Sequence, residues 1–165
     1  MPELPEVQTV VNHIKRDLMG EKLRSIIPLW DKVLHNFSPS DIHKELNGKV
    51  IIDVYRRAKF IILQFNGRII AIHLRMTGKL YISSDSGHPK HCTAFIEFNS
   101  GKKLIFEDVR KFGRFYLYND LDPINHRHGP EPLDSNFTVK KFQGMLLEKK
   151  RNIKALLLDQ SFLSG

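Results

Sequence analysis

Between Lys22 and Asn119 the chain repeats one local theme, short runs of β-branched and aromatic residues bounded by turn formers. The runs are Leu23 to Ile27, Val50 to Arg56, Phe60 to Phe65, Arg68 to Leu74, Lys79 to Ile82, Ala94 to Phe98, Lys103 to Phe106 and Phe115 to Tyr118, eight candidate strands. Side chains of these types suit a pleated surface better than a helix. Asn66-Gly67 between two runs is a two-residue hairpin signal, and Asn99-Ser100-Gly101 is a slightly longer one. Neighbouring strands are therefore expected to be antiparallel. So many strands on such short turns point to two antiparallel sheets packed as a sandwich or a flattened barrel.

Helices flank this β region. Val7, Val10, Val11, Ile14 and Leu18 recur at helical spacing, with Pro5 suited to the first turn and Gly20 to the stop. A short helix is expected over Pro39 to Leu46, with Ser38 as its cap. A loop rich in Asp, Pro, His and Gly follows Asn119, and helical periodicity returns with Val139, Phe142, Met145 and Leu146 and again over Ile153 to Leu158. The expected architecture is mainly β with flanking helices: a sandwich domain over residues 1–133, then a linker and the first helices of a second domain over 134–165. The last helical pattern stops at Gly165 with little to cap or pack it, as expected for a cut within a longer protein.

Twenty-six Lys plus Arg against eighteen Asp plus Glu leave a formal charge of +8. A polyanion, nucleic acid first, is the expected partner. The single cysteine, Cys92, excludes an internal disulfide and a cysteine-rich zinc site within these residues. No membrane span or secretory signal is legible, so a cytoplasmic location is expected.

The opening Met1-Pro2-Glu3-Leu4-Pro5-Glu6 is the first chemical signal. Loss of Met1 would make the Pro2 ring nitrogen the amino terminus. An α-amino group ionises at roughly 7.7 to 8.0 against about 10.4 for lysine, so it offers a neutral nucleophile near neutral pH without burial. A secondary amine condensed with an aldehyde is an iminium, an electron sink at any pH, which suits bond cleavage beside a sugar aldehyde. Glu3 and Glu6 are placed to act as acid or base beside it, or simply to complement the helix dipole. Arg56-Arg57-Ala58-Lys59 reads as phosphate neutralisation or as a solvated strand end. His73-Leu74-Arg75-Met76-Thr77-Gly78 and Asp108-Val109-Arg110-Lys111-Phe112-Gly113-Arg114 each pair a cation with an apolar side chain at a glycine turn. Met76, Arg110 and Phe112 together would fill the gap left by an extruded base, which needs apolar volume and a donor for the widowed partner.

These segments, with Gly129-Pro130-Glu131-Pro132-Leu133 and Ile153-Lys154-Ala155-Leu156-Leu157-Leu158-Asp159-Gln160, closely resemble, in the same order, the bacterial formamidopyrimidine-DNA glycosylases. The resemblance spans the whole chain. It implies a base-excision repair enzyme that removes oxidised purines, 8-oxoguanine and formamidopyrimidines, and cuts the strand by β,δ-elimination. By that likeness Pro2 attacks C1′, Glu3 is the general acid and base, Glu6 supports it, and Lys59 is a catalytic-site lysine at a hairpin tip that contacts the DNA backbone. Met76, Arg110 and Phe112 enter the gap, with Arg110 facing the orphaned cytosine, while His91 and Lys154 are further DNA contacts. The implied partner is double-stranded DNA with an oxidised purine or abasic site, bound by a monomer associated with the nucleoid.

Two departures matter. Family members often continue Lys-His with Asp-His, whereas Cys92-Thr93 follow His91 here, so one histidine contact is missing. The family's helix-two-turn-helix module and zinc finger would lie largely beyond Gly165, so no metal or cofactor is expected within this chain and its activity alone is expected to be weak. Two other readings remain at this point: a DNA-binding module without catalysis, and an amino-terminal-proline tautomerase acting on a small keto acid, which the basic charge disfavours.

Overall fold

The computed structural model describes residues Met1–Gly165. The elements are α1 (Leu4–Leu18), β1 (Leu23–Pro28), a 3-10 turn (Asp31–Val33), α2 (Pro39–Glu45), β2 (Asp53–Arg57), β3 (Phe60–Phe65), β4 (Arg68–His73), β5 (Lys79–Ser83), β6 (Cys92–Phe98), β7 (Lys103–Glu107), β8 (Arg114–Tyr118), α3 (Asp122–Asn125), α4 (Val139–Leu147) and α5 (Ile153–Leu157). Two compact units result, Met1–Asp120 and Leu121–Gly165.

In the first unit the strands form two four-stranded sheets, ordered β1-β6-β7-β5 and β2-β3-β4-β8. All strand pairs are antiparallel. Alternate side chains turn inward, as the period of a strand requires. Ile26, Ile96, Leu104 and Phe106 from one sheet meet Ile61, Leu63, Ile70 and Phe115 from the other in one buried cluster. Phe106 and Phe115 join the sheets directly, with ring centroids 5.2 Å apart. Val7, Val11, Ile14 and Leu18 bring α1 into the same core, where the helix packs on β2 and β5. Each such apolar side chain contributes about 1.5–3 kcal/mol of burial. The helix start, and with it Pro2, is thereby anchored to the sandwich.

The expected sandwich and all eight strands are present, with one boundary displaced by three residues and the others by no more than two. The run from Val50 enters the sheet only at Asp53, because Val50 bridges Lys22 and Ile51 donates its N–H to the Glu21 carbonyl. Backbone partners elsewhere in the fold, not side-chain type, delay that strand.

The second unit begins at Leu121, ahead of the expected boundary after residue 133. The loop after Asn119 is tied to the chain's end: Gly129 donates its N–H to the Gln160 carbonyl at 2.8 Å, and Ser164 donates to the Pro130 carbonyl at 3.1 Å. Its buried apolar residues are Ile124, Leu156 and Phe162, and α4 buries none of its side chains.

Candidate active site and nucleic-acid interface

Three tight connections of the first unit hold residues expected from the sequence to form the site: Ala58-Lys59 between β2 and β3, residues 74–78 between β4 and β5, and residues 108–113 between β7 and β8. Each holds a non-glycine residue with left-handed backbone, Ala58 at φ 51°, Arg75 at φ 56° and Lys111 at φ 58°. Such residues cost on the order of 1–3 kcal/mol each and persist only where their surroundings over-determine them.

At the first connection Lys59 forms an ion pair with the Glu3 carboxylate; the lysine side chain is 8% exposed and the glutamate 51%. The resemblance implies a hairpin-tip lysine that contacts the DNA backbone; in this structure its side chain reaches the start of α1. Glu6 accepts the Glu3 N–H at 3.0 Å and so sets the backbone beside Pro2. Arg56 is likewise drawn inward, donating to the Ala58 carbonyl at 2.8 Å and to Gln8 Oε1 at 3.1 Å.

Met76 and Phe112, 42% and 46% exposed, line a cavity of about 420 Å³ that Met1 also lines. Its wall includes His35 and Tyr116, whose rings lie 4.8 Å apart. The Arg110 guanidinium sits 4.9 Å over the Phe112 ring, a favourable contact between a cation and the aromatic face. The three expected gap-filling side chains therefore come from two adjacent loops, beside the amino terminus. His91 is exposed on the strand-preceding loop, and its carbonyl accepts the Asp108 N–H at 3.0 Å. Lys154 is exposed in α5, within the second unit.

Residues 1–115 match the family model described as the formamidopyrimidine-DNA glycosylase N-terminal domain. The chain belongs to the formamidopyrimidine-DNA glycosylase family. The formamidopyrimidine-DNA glycosylase of Protochlamydia amoebophila is 40% identical across the whole chain, which spans 61% of that protein. The one from Streptococcus pneumoniae serotype 4 is 35% identical, with 62% of it covered. Among solved structures, Lactococcus lactis Fpg in complex with DNA containing an abasic site superposes with a TM-score of 0.87 at 32% identity, over 99% of this chain and 62% of that one. Its complex with DNA containing N7-benzyl-Fapy-dG superposes at 0.86 and 33%. The chain thus spans about three-fifths of the length of these relatives.

Within this glycosylase-family framework, several side chains of the site were given no role by sequence reasoning. Asp108 is 1% exposed and accepts N–H groups from Gly113 at 2.7 Å and Arg110 at 3.2 Å. Trp30 lies under the Arg114 guanidinium at 4.7 Å, while Arg114 donates to the carbonyls of Lys111 at 3.0 Å and Gly113 at 2.7 Å. An acid directly before a cationic loop is a sequence signal for Asp108. Nothing local marks Trp30, His35 or Tyr116. No group of three or more His, Cys, Asp or Glu side chains is gathered as for a metal ion.

Proposed function

We propose that this chain is the catalytic portion of a base-excision DNA glycosylase and lyase, acting on oxidised purines such as 8-oxoguanine and formamidopyrimidines and on abasic sites in double-stranded DNA. The observation that carries the reading is the pairing of buried Lys59 with Glu3, one residue from Pro2, beside a cavity rimmed by Met76 and Phe112. With Met1 removed, the Pro2 nitrogen lone pair bonds to C1′, and the glycosidic bond breaks with its electrons leaving on the base, which takes up a proton. The Glu3 carboxylate takes the N–H proton that the Pro2 nitrogen sheds after attack and passes it to the ring oxygen, the sugar opens, and the nitrogen becomes an iminium. Loss of a proton from C2′ then expels the 3′ phosphate, and a second elimination expels the 5′ phosphate. Lys59 holds the Glu3 carboxylate in place. Met76 and Phe112 fill the vacated gap, Arg110 bonds the widowed cytosine, and His91 and Lys154 contact the DNA.

The family relation supports this reading, as do the solved relatives named for their complexes with damaged DNA. In the cell this would be a cytoplasmic, nucleoid-associated monomer. Because the chain spans 61% of a full relative, we expect weak lesion binding and slow cleavage by these residues alone.

Borohydride trapping on an abasic duplex tests both parts. A covalent adduct mapping to Pro2, in a minor fraction of the protein and absent when Met1 is retained, is expected. Efficient trapping would overturn the weakness, and an adduct elsewhere, or none, would overturn the nucleophile. The corresponding binding module predicts salt-sensitive DNA affinity without any adduct.

A further inference from the structure

The Met76 loop and the Arg110–Phe112 loop are separate in sequence but joined through one hydrogen-bonded centre. Thr77 donates its hydroxyl to Asp108 Oδ1 across a separation of 31 residues. The same hydroxyl oxygen accepts the Arg110 N–H at 3.2 Å, and that N–H is shared with Asp108 Oδ1 at 3.2 Å. The second carboxylate oxygen accepts the Gly113 N–H at 2.7 Å. The Asp108 carbonyl accepts from Lys111 at 3.2 Å. Below this centre both loops close onto a single ring: a Cβ at Gly78 would lie 2.9 Å from Phe106 Cε2, and one at Gly113 would lie 2.2 Å from Phe106 Cζ. Phe106 is fully buried, so it cannot yield to either. The two loops are therefore set against a fixed surface and against each other.

We propose that Thr77 and Asp108 form a latch that makes the two loops a single preformed wedge, with Thr77 as a positioning residue for Met76, Arg110 and Phe112. The latch rests on the proposed function, since it matters only if these side chains enter a gap in DNA. Its physical advantage is preorganisation. Two independent loops would each lose conformational freedom on insertion, whereas a joined pair has already lost it in the free protein. The left-handed backbone of Lys111 lies between Arg110 and Gly113, whose amides the Asp108 carboxylate holds.

Thr77→Val keeps the shape and removes the hydroxyl, and Thr77→Ser restores the hydroxyl without the methyl. Two measurements on the 165-residue chain judge the latch: hydrogen exchange at the Arg110 amide in the free protein, and the ratio of affinities for an abasic duplex and an intact one. Loss of a hydrogen bond to a carboxylate corresponds to roughly a tenfold effect or more. Thr77→Val is expected to speed Arg110 exchange and to lower the abasic-over-intact ratio, each about tenfold, with Thr77→Ser close to the parent in both. If only one of the two quantities changes, or neither, the latch is overturned. A parent chain with no preference for the abasic duplex would instead overturn the proposed function, whatever the exchange rates.

Discussion

Lys59 sits in a two-residue hairpin turn, where a lysine is ordinarily solvated, yet its side chain is 8% exposed and pairs with Glu3. The origin lies in Ala58, whose left-handed backbone redirects the following residue toward α1. Because the Glu3 carboxylate is half exposed, removing Lys59 leaves a solvated charge rather than a buried unpaired one, and the cost of dehydrating the lysine disappears with it. Lys59→Met is therefore expected to change unfolding free energy by less than about 1 kcal/mol or to raise it, while lowering borohydride trapping at Pro2 at least tenfold. Urea unfolding and trapping yield check the two halves. A large loss of stability would mean that Lys59 is structural and would remove the reason for giving it a chemical role. The sequence marked Lys59 through its basic cluster but gave no sign of its pairing with Glu3, because the two residues are brought together only by the packing of α1 on the sandwich.

Element ends in the second unit are held by short polar loops rather than by a large core. Beyond α5, Asp159 accepts the Ser161 hydroxyl at 2.6 Å and the Ser161 N–H at 3.0 Å, and its other oxygen accepts from Arg151 at 2.7 Å. The Ser161 hydroxyl bond above all, then Arg151 and the Ser161 amide, hold the Asp159 carboxyl down at about 2. A carboxyl lowered by folding stabilises the folded turn above its ordinary value of about 3.9 and loses that contribution as pH falls. The turn is thus expected to be intact near neutrality and to weaken as pH falls toward 2. A carboxyl titration by NMR should place Asp159 well below other aspartates, and Ser161→Ala should raise it; an ordinary midpoint would contradict the arrangement. At this scale the helices were legible, since Ser38 caps α2 as expected and α5 begins at Ile153 as its pattern implies. The 3-10 turn at Asp31–Val33 and the short α3 were not, because neither is long enough to show a period.

Across the molecule the formal charge is +8, but not every cation is free to meet a polyanion. Lys15 is paired with Asp53 at 2.6 Å, Lys102 with Glu21 at 3.1 Å, and Lys59 with Glu3. Arg75, Arg110 and Lys111 are exposed on the β4–β5 and β7–β8 loops. Each phosphate neutralised contributes about −0.9 to the slope of log affinity against log salt, so a slope between about −2 and −4 is expected for duplex DNA. A slope near zero in a salt titration would detach the charge from nucleic-acid binding. Arg75→Ala and Lys111→Ala should each make the slope shallower by about one.

The sequence by itself determined the strands, the flanking helices and the family, since these are written in local signals: β-branched runs, hairpin turns, and motifs in a fixed order. It also marked Met76, Arg110 and Phe112 as a set, and Glu3 and Glu6 as flanking Pro2. Sheet order was decided by the tertiary structure, because only some neighbours, such as β3 and β4 or β6 and β7, are joined by turns, whereas β1 beside β6 and β4 beside β8 are not. The same holds for the Glu3–Lys59 pair and the Thr77–Asp108 bond. Local periodicity specifies which face of an element is apolar. Which distant polar groups must be buried together is settled only when those faces pack, since a buried donor or carboxylate has to find its partner inside the folded chain.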